Sequence, residues 1–222
     1  MRTKKLTKVI IAILIVVVLC LIVFGIDEFT NYIKFENDYK EFVQRKIVQG
    51  KAVLSQDNSV NMDYIYQDNI GVKIDSILLD SKKLDFELDF MLDKNQNLDI
   101  DKLKYGIAVY DENNNIYGVY ENMSNTNNYY WKKLYRELNV KYNEKDVFAI
   151  QLYKSMGLQY KRIGENGSTI HYISSEARDS FPASKKLYIR IFNINITTFN
   201  DNKMQNNPLS NAEWVIEVDM SK

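Results

Sequence analysis

The segment Asp93–Lys104 has the spacing of oxygen ligands found in a calcium-binding loop. It follows the EF-hand pattern at positions one, three, five and nine, with Ile100 at the central apolar position. However, Leu98 replaces the glycine of the sharp turn, and Lys104 puts a cation where a bidentate glutamate should complete the shell. The segment is therefore predicted to be an Asn-rich connection between strands, so no cofactor is predicted, and calcium at this segment is the alternative. The candidate ligands are Asp93, Asn95, Asn97, Asp99 and Asp101.

Acidic side chains recur at every second position in two places, Asp85/Glu87/Asp89 and Asp99/Asp101. On a β-strand this spacing puts the carboxylates on one face. Two carboxylates in a cleft can do the acid and base or nucleophile chemistry of a glycoside hydrolase. The simpler interpretation is the solvated face of a sheet, and this is the prediction. A glycan-processing enzyme is retained as an alternative function.

The chain has one histidine, His171, within the segment Thr169–Ile173. A typical zinc site needs several His or Cys ligands, and the one cysteine, Cys20, lies far away in the sequence. Ser-His-Asp chemistry stays open in principle, but no Gly-x-Ser-x-Gly turn marks a nucleophile. His171 is therefore predicted to be exposed or capped by a hydrogen bond, and no catalytic residue is assigned.

A group of aromatic residues near the middle of the chain suggests a binding platform. The Asn-rich segment 122–128 precedes three of them and is predicted to be a loop that presents them. Such a platform would suit a cell-wall glycan or a partner protein. Core packing is the simpler interpretation for most of them, and for Trp214. The candidate binding residues are Tyr117, Tyr120, Tyr129, Tyr130 and Trp131.

The segment Val9–Ile26 is an apolar run of 18 residues without a charge. As a helix it would be about 27 Å long, close to the hydrocarbon thickness of about 30 Å. Four Lys or Arg residues precede the run, and Asp27 and Glu28 follow it. Because basic residues beside a span are retained inside, residues 1–8 are predicted to be a cytoplasmic tail. The protein is thus predicted to be single-pass in the cell membrane, with its C-terminal domain extracytoplasmic.

The alternatives to an uncleaved anchor are a cleaved signal peptide and a lipoprotein signal. A cleaved signal peptide has a shorter apolar core of about 7–15 residues and ends at a small-x-small site. Gly25-Ile26-Asp27 is a poor match to such a site. A lipoprotein signal would use Cys20, but Leu19 stands where those signals carry a small residue, and the apolar run continues beyond it. Cys20 is interpreted as a small apolar residue that faces lipid or another helix.

Residues 27–49 are predicted to form a helix that continues the anchor as a stalk. Apolar side chains recur at spacings of three and four, the period of a helix with one apolar face. Gly50 would end this helix, because glycine readily adopts the left-handed conformation of a C-cap. Packing of the apolar face on the domain or on headgroups is the simplest interpretation, with self-association as the alternative. The apolar positions are Phe29, Tyr32, Ile33, Phe35, Tyr39, Phe42, Val43 and Ile47.

Residues 51–222 are predicted to be one β-sandwich domain. Residues 84–92 alternate apolar and mostly acidic side chains, which is typical of a half-buried strand. The apolar residues of 187–197 change phase, which requires a bulge near Phe192 or burial of both faces. Strands are predicted at 70–78, 84–92, 105–110, 116–120, 147–153, 169–173, 187–197 and 214–218, with turns at 80–83 and 111–115 and a short helix near 131–138.

The charge balance excludes a nucleic-acid partner. The chain has 29 basic and 29 acidic residues, but Arg2, Lys4, Lys5 and Lys8 all precede the apolar run. The remainder therefore has 25 basic against 29 acidic residues, a net charge of −4. Nucleic-acid binding requires a basic surface that displaces counterions, and this composition does not provide one.

Four strand-like segments carry a resemblance to a known type of domain. The segments Gly71–Asp80 and Lys83–Leu88 resemble the opening hairpin of uncharacterised immunoglobulin-like extracytoplasmic domains of Gram-positive envelope proteins. Lys186–Ile191 and Trp214–Val218 are similar to the closing strands of those domains. The resemblance covers residues 65–220 and implies an immunoglobulin-like sandwich.

Some of the domains that this chain resembles occur in anti-sigma-factor-like proteins. An anti-sigma factor needs a folded cytoplasmic domain to hold its partner, whereas the predicted tail is only Met1–Lys8. Direct sigma-factor binding is therefore not expected. The sequence instead predicts a non-enzymatic envelope module for binding, sensing or assembly, with a passive spacer as a further alternative.

Overall fold

The computed structural model divides the chain into two units, Met1–Gln44 and Arg45–Lys222. The strands of the described residues all lie in the second unit. The described residues are 16, 18, 20, 23–27, 29–34, 36–37, 39–40, 44–92, 102–121, 133–134, 136–138, 156–164, 167–177, 180–200 and 203–221.

In the first unit, all described residues from 16 to 40 are helical. Apolar side chains along this helix are exposed, and Val23, for example, is 67% accessible. Among the described residues, no helix is both long and apolar enough to cross a membrane. Much of the predicted span Val9–Ile26 lies outside those residues, so the anchor and self-association through the stalk both stay predictions.

The predicted end of the stalk helix is wrong. Residue 44 is already in a turn, and strand β1 begins at Ile47. Gly50 lies within β1, where a Cβ would come 1.9 Å from Cδ1 of Ile65, so glycine is needed for close packing and not for a helix cap. The helical spacing extends to Ile47 by coincidence, because strand pairing determines the conformation from that residue onward.

The second unit is mostly β-structure, which confirms the predicted sandwich-like class. Two sheets share a hydrophobic core, and the seven predicted strands that fall on described residues are all present. The strands are β1 (Ile47–Leu54), β2 (Val60–Asn61), β3 (Ile65–Gln67), β4 (Ile70–Leu79), β5 (Lys83–Leu92), β6 (Leu103–Asp111), β7 (Ile116–Glu121), β8 (Gly157–Ile163), β9 (Thr169–Glu176), β10 (Lys186–Asn200), β11 (Lys203–Pro208) and β12 (Glu213–Asp219).

The first sheet has seven strands in the order β2-β1-β12-β10-β6-β7, with β11 paired to β10. The second has five strands in the order β3-β4-β5-β9-β8. The pair β1 and β12 is parallel, with Ile47 opposite Glu213 and Val53 opposite Asp219. The other pairs between the described strands are antiparallel.

The core is formed by the alternating apolar side chains of both sheets. Phe86 and Phe90 of β5 and Trp214 of β12 belong to one cluster of buried residues. Full burial of such a side chain contributes about 1.5–3 kcal/mol relative to exposure. The indole Nε1 of Trp214 donates a hydrogen bond to the carbonyl oxygen of Ile65 at 3.1 Å, so its polar atom is also satisfied. The prediction that Trp214 is a core residue is confirmed.

The predicted turns and the predicted bulge are also confirmed. Asp80 Oδ1 accepts hydrogen bonds from the backbone nitrogens of Lys82 and Lys83, each at 2.7 Å, which closes the turn between β4 and β5. In β10 the register against β6 shifts between Phe192 and Asn195. Asn193 has a positive φ of 52° within this bulge, which moves the following apolar residues back to the core face.

Some sequence predictions fall partly or wholly outside the described residues. The predicted strand 147–153 is one of them, and it stays a prediction. Within the predicted short helix near 131–138, residues 133, 134, 136 and 137 are helical, which confirms that part. Strands β1, β2, β3, β8 and β11 were not predicted from the sequence.

Candidate functional site

A transverse row of charged side chains crosses the outer face of the five-stranded sheet. Asp89 lies on the central strand β5, with Lys73 opposite it on β4 and Ile170 opposite it on β9. Arg162 on β8 is in turn opposite Ile170. The pairing register therefore brings residues from four strands into one line, although they are far apart in the sequence.

This row forms the floor of an open cleft with a volume of about 290 Å³. On one side, Tyr64 from the segment before β3 donates a hydrogen bond through its hydroxyl to Asp89 Oδ2 at 2.5 Å. On the other side, the backbone nitrogen of Gly164 donates to the carbonyl oxygen of Ser168 at 2.9 Å. A Cβ at Gly164 would lie 2.3 Å from Ser168 Oγ, so glycine permits this close approach without a shift of the serine side chain. We call this feature the Asp89 cleft; its charged and hydroxyl lining is Tyr64, Lys73, Asp75, Asp89, Arg162 and Ser168.

The two cations that line the Asp89 cleft are paired with acidic side chains, Asp75 in the lining and Glu87 outside it. Lys73 Nζ lies 2.6 Å from Asp75 Oδ1. Arg162 Nη2 lies 3.2 Å from both carboxylate oxygens of Glu87. Both pairs are partly exposed, so each contributes little net stability and can exchange partners.

Asp89 differs from its acidic neighbours because half of its carboxylate is unsatisfied. The residue is only 4% exposed. Its Oδ2 atom accepts from Tyr64, but Oδ1 makes no hydrogen bond with any residue that the structure describes. Leaving a buried acceptor unpaired costs about 1–3 kcal/mol, and more for a charged group. Asp89 lines the cleft, and its unpaired buried oxygen is a candidate acceptor for a donor from outside the chain.

A β-bulge explains why Lys73 pairs with Asp75 and not with Asp89. The register of β4 against β5 shifts between Ile74 and Ser76, so Asp75 is the additional residue. Ile74 and Ile77 are both fully buried in the core, whereas Asp75 and Ser76 between them are partly exposed. The bulge thus places the Asp75 carboxylate beside Lys73 and holds the cation away from Asp89.

The titration behaviour of the neighbouring groups agrees with these hydrogen bonds. Burial, followed by the hydrogen bond to Asp89, raises the pKa of the Tyr64 hydroxyl, so Tyr64 remains a proton donor at neutral pH. Burial alone would raise the pKa of Asp85. Hydrogen bonds from Lys83, Ser174 and Tyr172 outweigh that effect and lower the pKa of this carboxyl.

The prediction that Asp85, Glu87 and Asp89 form a solvated sheet face is wrong in one respect. They do lie on the outer face of the sheet, but Asp85 is only 3% exposed. Tyr172 donates to Asp85 Oδ2 at 2.5 Å and covers it, as Tyr64 covers Asp89. Two tyrosine rings therefore shield Asp85 and Asp89 from water, and the hydroxyl of each satisfies one oxygen of the carboxylate that it covers.

Two of the predicted aromatic binding residues face the interior. Tyr117 is fully buried, stacks on Phe181 at 4.9 Å between ring centroids, and donates its hydroxyl proton to Pro182 O at 2.5 Å. Tyr120 is buried with its ring centroid 5.5 Å from that of Tyr105. The other three candidates, Tyr129, Tyr130 and Trp131, lie outside the described residues, so an aromatic platform stays a prediction.

The calcium prediction falls on residues that the structure does not describe. Asp93, Asn95, Asn97, Asp99 and Asp101 all belong to this segment. The flanking elements are strands β5 and β6 and not the helices of an EF-hand, and Lys104 lies within β6. Elsewhere, among the residues that are described, no three His, Cys, Asp or Glu side chains are grouped so that they could hold a metal.

His171 is capped by a hydrogen bond, as predicted, but it is buried within the core. Its Nδ1 atom shares a hydrogen bond with the Tyr105 hydroxyl, and its ring lies 5.3 Å from that of Phe90. Nε2 makes no hydrogen bond with the described part of the chain. Burial, with a smaller contribution from Lys161, lowers the pKa of His171 to about 3, so the ring is neutral.

The sequence predicts that Asp85, Glu87 and Asp89 share one face of a strand, but it does not predict the cleft around Asp89. The alternation of residues 84–92 placed Asp89 on the outer face. Tyr64, Arg162 and Ser168 also line the cleft, and they lie in a loop, a strand and a turn, respectively, that were not predicted. The side chains of residues 157–163 are mostly exposed or half-buried and do not alternate in burial, so no periodic signal placed Arg162 on a strand.

Comparisons with known proteins place the chain in no family. No protein-family model matches it, and no curated protein matches its sequence. One solved structure, described as the crystal structure of the conserved domain protein from Bacillus anthracis, is similar with a TM-score of 0.40 and 8% identical residues. The match covers 70% of this chain and 46% of that chain, so this protein spans less than half the length of the neighbour.

Proposed function

We propose that the protein is a membrane-anchored, extracytoplasmic binding module of a bacterial cell envelope, and that the Asp89 cleft is its ligand site. The observation that carries this proposal is the buried Oδ1 atom of Asp89, which lacks a partner among the described residues. A ligand that donates a hydrogen bond to this oxygen removes the cost of an unsatisfied buried acceptor. The proposed activity is binding, in a sensory or assembly role, without catalysis.

The form of the cleft supports a small polar ligand. A volume of about 290 Å³ lies at the lower limit of the range of about 300–1,000 Å³ typical of ligand pockets. The polar groups at its walls come from several strands of one sheet, so the scaffold fixes the backbone positions from which they extend. A backbone that is already in place favours affinity because less of the site must be ordered on binding.

We further propose that the sandwich is immunoglobulin-like. In a variable-type immunoglobulin domain, one sheet contains strands A, B, E and D, and the other contains C′, C, F and G. The orders β4-β5-β9-β8 and β7-β6-β10-β12 correspond to these two sheets when the strands are taken in chain order. The chain differs from antibody domains in having no pair of cysteines.

The proposed anchor is supported by the sequence of residues 1–28 and is tested by cysteine labelling. In a Cys20→Ser background, Lys51→Cys places a thiol on an exposed position of β1, and Lys4→Cys places one in the predicted tail. We expect a membrane-impermeant maleimide to label Lys51→Cys in intact cells and Lys4→Cys only after permeabilisation, because basic flanks are retained inside. Labelling of Lys51→Cys only after permeabilisation would place the sandwich in the cytoplasm and contradict the proposal.

The proposed ligand site is tested with the full-length chain in mild detergent. The probes are a panel of monosaccharides, polyols, amino acids and amines, and binding is followed by ligand-observed NMR. We expect at least one chemical class to bind, with affinity reduced about tenfold or more in Asp89→Asn, because hydrogen bonds to charged groups are worth about 1.5–3 kcal/mol. The matched control is Glu176→Gln, which makes the same charge change at an exposed position on β9.

The result of the panel separates the proposed function from the passive-spacer alternative. Binding that is equal in wild type, Asp89→Asn and Glu176→Gln would show that the Asp89 cleft is not the site. If no member of the panel binds the wild-type chain, the spacer alternative is favoured instead. Circular dichroism of each variant confirms that the fold is unchanged.

The interactions of Asp85 and Glu87 give little support to the glycan-processing alternative. A glycosidase needs one carboxylic acid with a raised pKa to protonate the leaving group. The pKa of Asp85 is lowered and not raised, because hydrogen bonds from Lys83, Ser174 and Tyr172 outweigh its burial. Glu87 is held in an ion pair with Arg162. These interactions suit carboxylates that remain ionised and hold the sheet face together.

A further inference from the structure

This inference rests on the proposed function of the Asp89 cleft and concerns the chemistry of its ligand. We propose that the group bound by Asp89 Oδ1 is a primary ammonium group of a small organic molecule. The molecule would be an amine, an amino sugar or the amino end of a short peptide, which share this group.

The charges around the cleft favour a cation. Lys73 is paired with Asp75, and Arg162 is paired with Glu87. The described residues provide no cationic partner for the Asp89 carboxylate, since its one hydrogen bond comes from the hydroxyl of Tyr64. A buried carboxylate is most strongly stabilised by a cation that also donates a hydrogen bond to it.

The oxygen acceptors in the cleft suit an ammonium group better than a metal ion. A calcium ion requires six to eight oxygen ligands, and magnesium requires a near-octahedral shell. The described residues hold no group of three or more acidic, His or Cys side chains that could bind a metal. An ammonium group has three donors, of which Asp89 Oδ1 can accept one, and the Ser168 hydroxyl is a further polar group in the cleft lining.

The volume of the cleft also indicates an organic ligand. About 290 Å³ is several times the volume of about 30 Å³ that one water molecule occupies. The space is therefore larger than a single bound ion needs. It can hold a molecule with a carbon skeleton whose ammonium end reaches the floor.

The bulge at Asp75 determines whether the site is open. Lys73 lies directly opposite Asp89 across the strand pair and carries the same ammonium group that we propose for the ligand. It is held elsewhere, 2.6 Å from Asp75 Oδ1 and 5.7 Å from the centroid of the Tyr64 ring. Without the Asp75 carboxylate, Lys73 would be free to turn to Asp89 and occupy the site itself.

The experiment uses matched charged and neutral probes with the full-length chain in detergent. The pairs are glucosamine with N-acetylglucosamine, and dialanine with N-acetyl-dialanine, with glucose as an unsubstituted control. Titrations are done at about pH 6, below the α-amino pKa of about 7.7–8.0, so that the amino groups are charged. We expect the ammonium form of at least one pair to bind about tenfold or more tightly than its acetylated form, and Asp89→Asn to remove this difference.

A second pair of variants tests the role of Lys73. Asp75→Asn should weaken binding of the ammonium probe about tenfold, because released Lys73 competes for Asp89. The double variant Asp75→Asn/Lys73→Met removes the competitor and should restore binding. Glu176→Gln serves as the control for the change in net charge, and it should leave binding unaltered.

The outcomes separate this inference from the proposed function. If neutral probes bind as tightly as charged ones, and Asp89→Asn abolishes both, the ammonium inference is overturned and the proposed ligand site stands. If charged probes bind equally to wild type and Asp89→Asn, both are overturned. Failure of every ammonium probe to bind overturns the inference, and the wider panel then decides about the site. Binding by only one pair supports the inference and identifies an amino sugar or a peptide as the source.

Discussion

Replacing Arg190 with methionine is expected to lower the free energy of unfolding by about 3–5 kcal/mol. Arg190 is only 2% exposed on the outer side of β10, and Glu213 on β12 is 0% exposed. The Nε atom of Arg190 donates a hydrogen bond to Glu213 Oε2 at 2.6 Å. Methionine has a similar length without charge, so the substitution leaves a buried carboxylate that has lost its closest cation.

The neighbours of this ion pair cannot replace Arg190. Arg45 Nη1 lies 3.1 Å from the other oxygen, Glu213 Oε1, and it is shared with Asn193 at 2.8 Å. Arg190 also binds Glu137 through Nη2 at 3.1 Å, so its loss releases a second acidic side chain. Breaking a buried pair from one side is costly because the remaining charge keeps its desolvation penalty.

Two controls distinguish this explanation from a general loss of packing. Arg190→Met combined with Glu213→Leu removes both charges and should recover most of the stability. Lys186→Met breaks a partly exposed ion pair with Glu217, and it should cost less than about 1 kcal/mol. Urea unfolding of the full-length chain in detergent, followed by circular dichroism, measures all three. A loss below about 1 kcal/mol in Arg190→Met would contradict the importance of the pair.

Acidification from pH 7 to pH 5 is expected to lower the free energy of unfolding by about 2 kcal/mol through His171. Burial, and to a smaller extent Lys161, lowers the pKa of His171 from 6.5 to about 3 in the folded protein. Between these two values the unfolded chain binds a proton that the folded chain does not. Stability therefore falls as the pH falls below 6.5, and the loss continues until the pH approaches the folded pKa.

The chain offers a clear pH window for this measurement because His171 is its one histidine. Acidic groups such as Asp80 and Glu112 have lowered pKa values, through hydrogen bonds from backbone nitrogens of Lys82 and Lys185 respectively. Their stabilising effect is lost only at lower pH, below the ordinary carboxyl values of 3.8 and 4.5. The loss between pH 7 and pH 5 is thus assigned to the imidazole.

The matched variant for this prediction is His171→Phe, which keeps a ring in the core and removes the titrating group. Its overall stability will differ from that of the wild type, because the Tyr105 hydroxyl loses its hydrogen bond to Nδ1. The informative quantity is the slope of unfolding free energy against pH, which should be nearly zero between pH 7 and pH 5. An equal slope in wild type and variant would refute the role of His171.

The parts of the fold that the sequence predicted well are those with a strong periodic signal. Strand β5 alternates apolar and polar residues without interruption, and its ends were placed within one residue. The apolar residues of β10 change phase, so a regular strand could not turn all of them to one core. This change predicted the bulge beside Phe192. The turns at Asp80 and Asp111 followed from side chains that bind the backbone of the next residues.

The strands that were missed lack that signal. Strand β8 lies at the edge of its sheet, where Ile163 is 81% exposed, so its apolar residues do not identify a buried face. Strand β1 pairs with a strand from the other end of the chain. No local pattern in residues 47–54 contains that information, and the preceding helical spacing concealed where β1 begins.

The candidate site was only partly predictable for the same reason. Asp89 was correctly placed on the outer face, but its burial depends on Tyr64. The ion pair of Glu87, on the same face, depends on Arg162, which is 75 residues further along the chain. The bulge that directs Asp75 toward Lys73 leaves no mark in the sequence, because Ile74, Asp75 and Ser76 suit a regular strand equally well. Tertiary register, and not residue type, creates the unpaired oxygen.

The parallel pairing of β1 and β12 gives the sandwich a mechanical property. The chain enters β1 beside Glu213, and β12 leaves at Asp219 beside Val53, so the two outward ends lie at opposite ends of the pair. Tension that pulls Arg45 and Asp219 apart therefore acts along both strands and loads their hydrogen bonds together in shear. Bonds loaded together must break in one step, which raises the barrier to forced unfolding compared with a hairpin that opens one bond at a time.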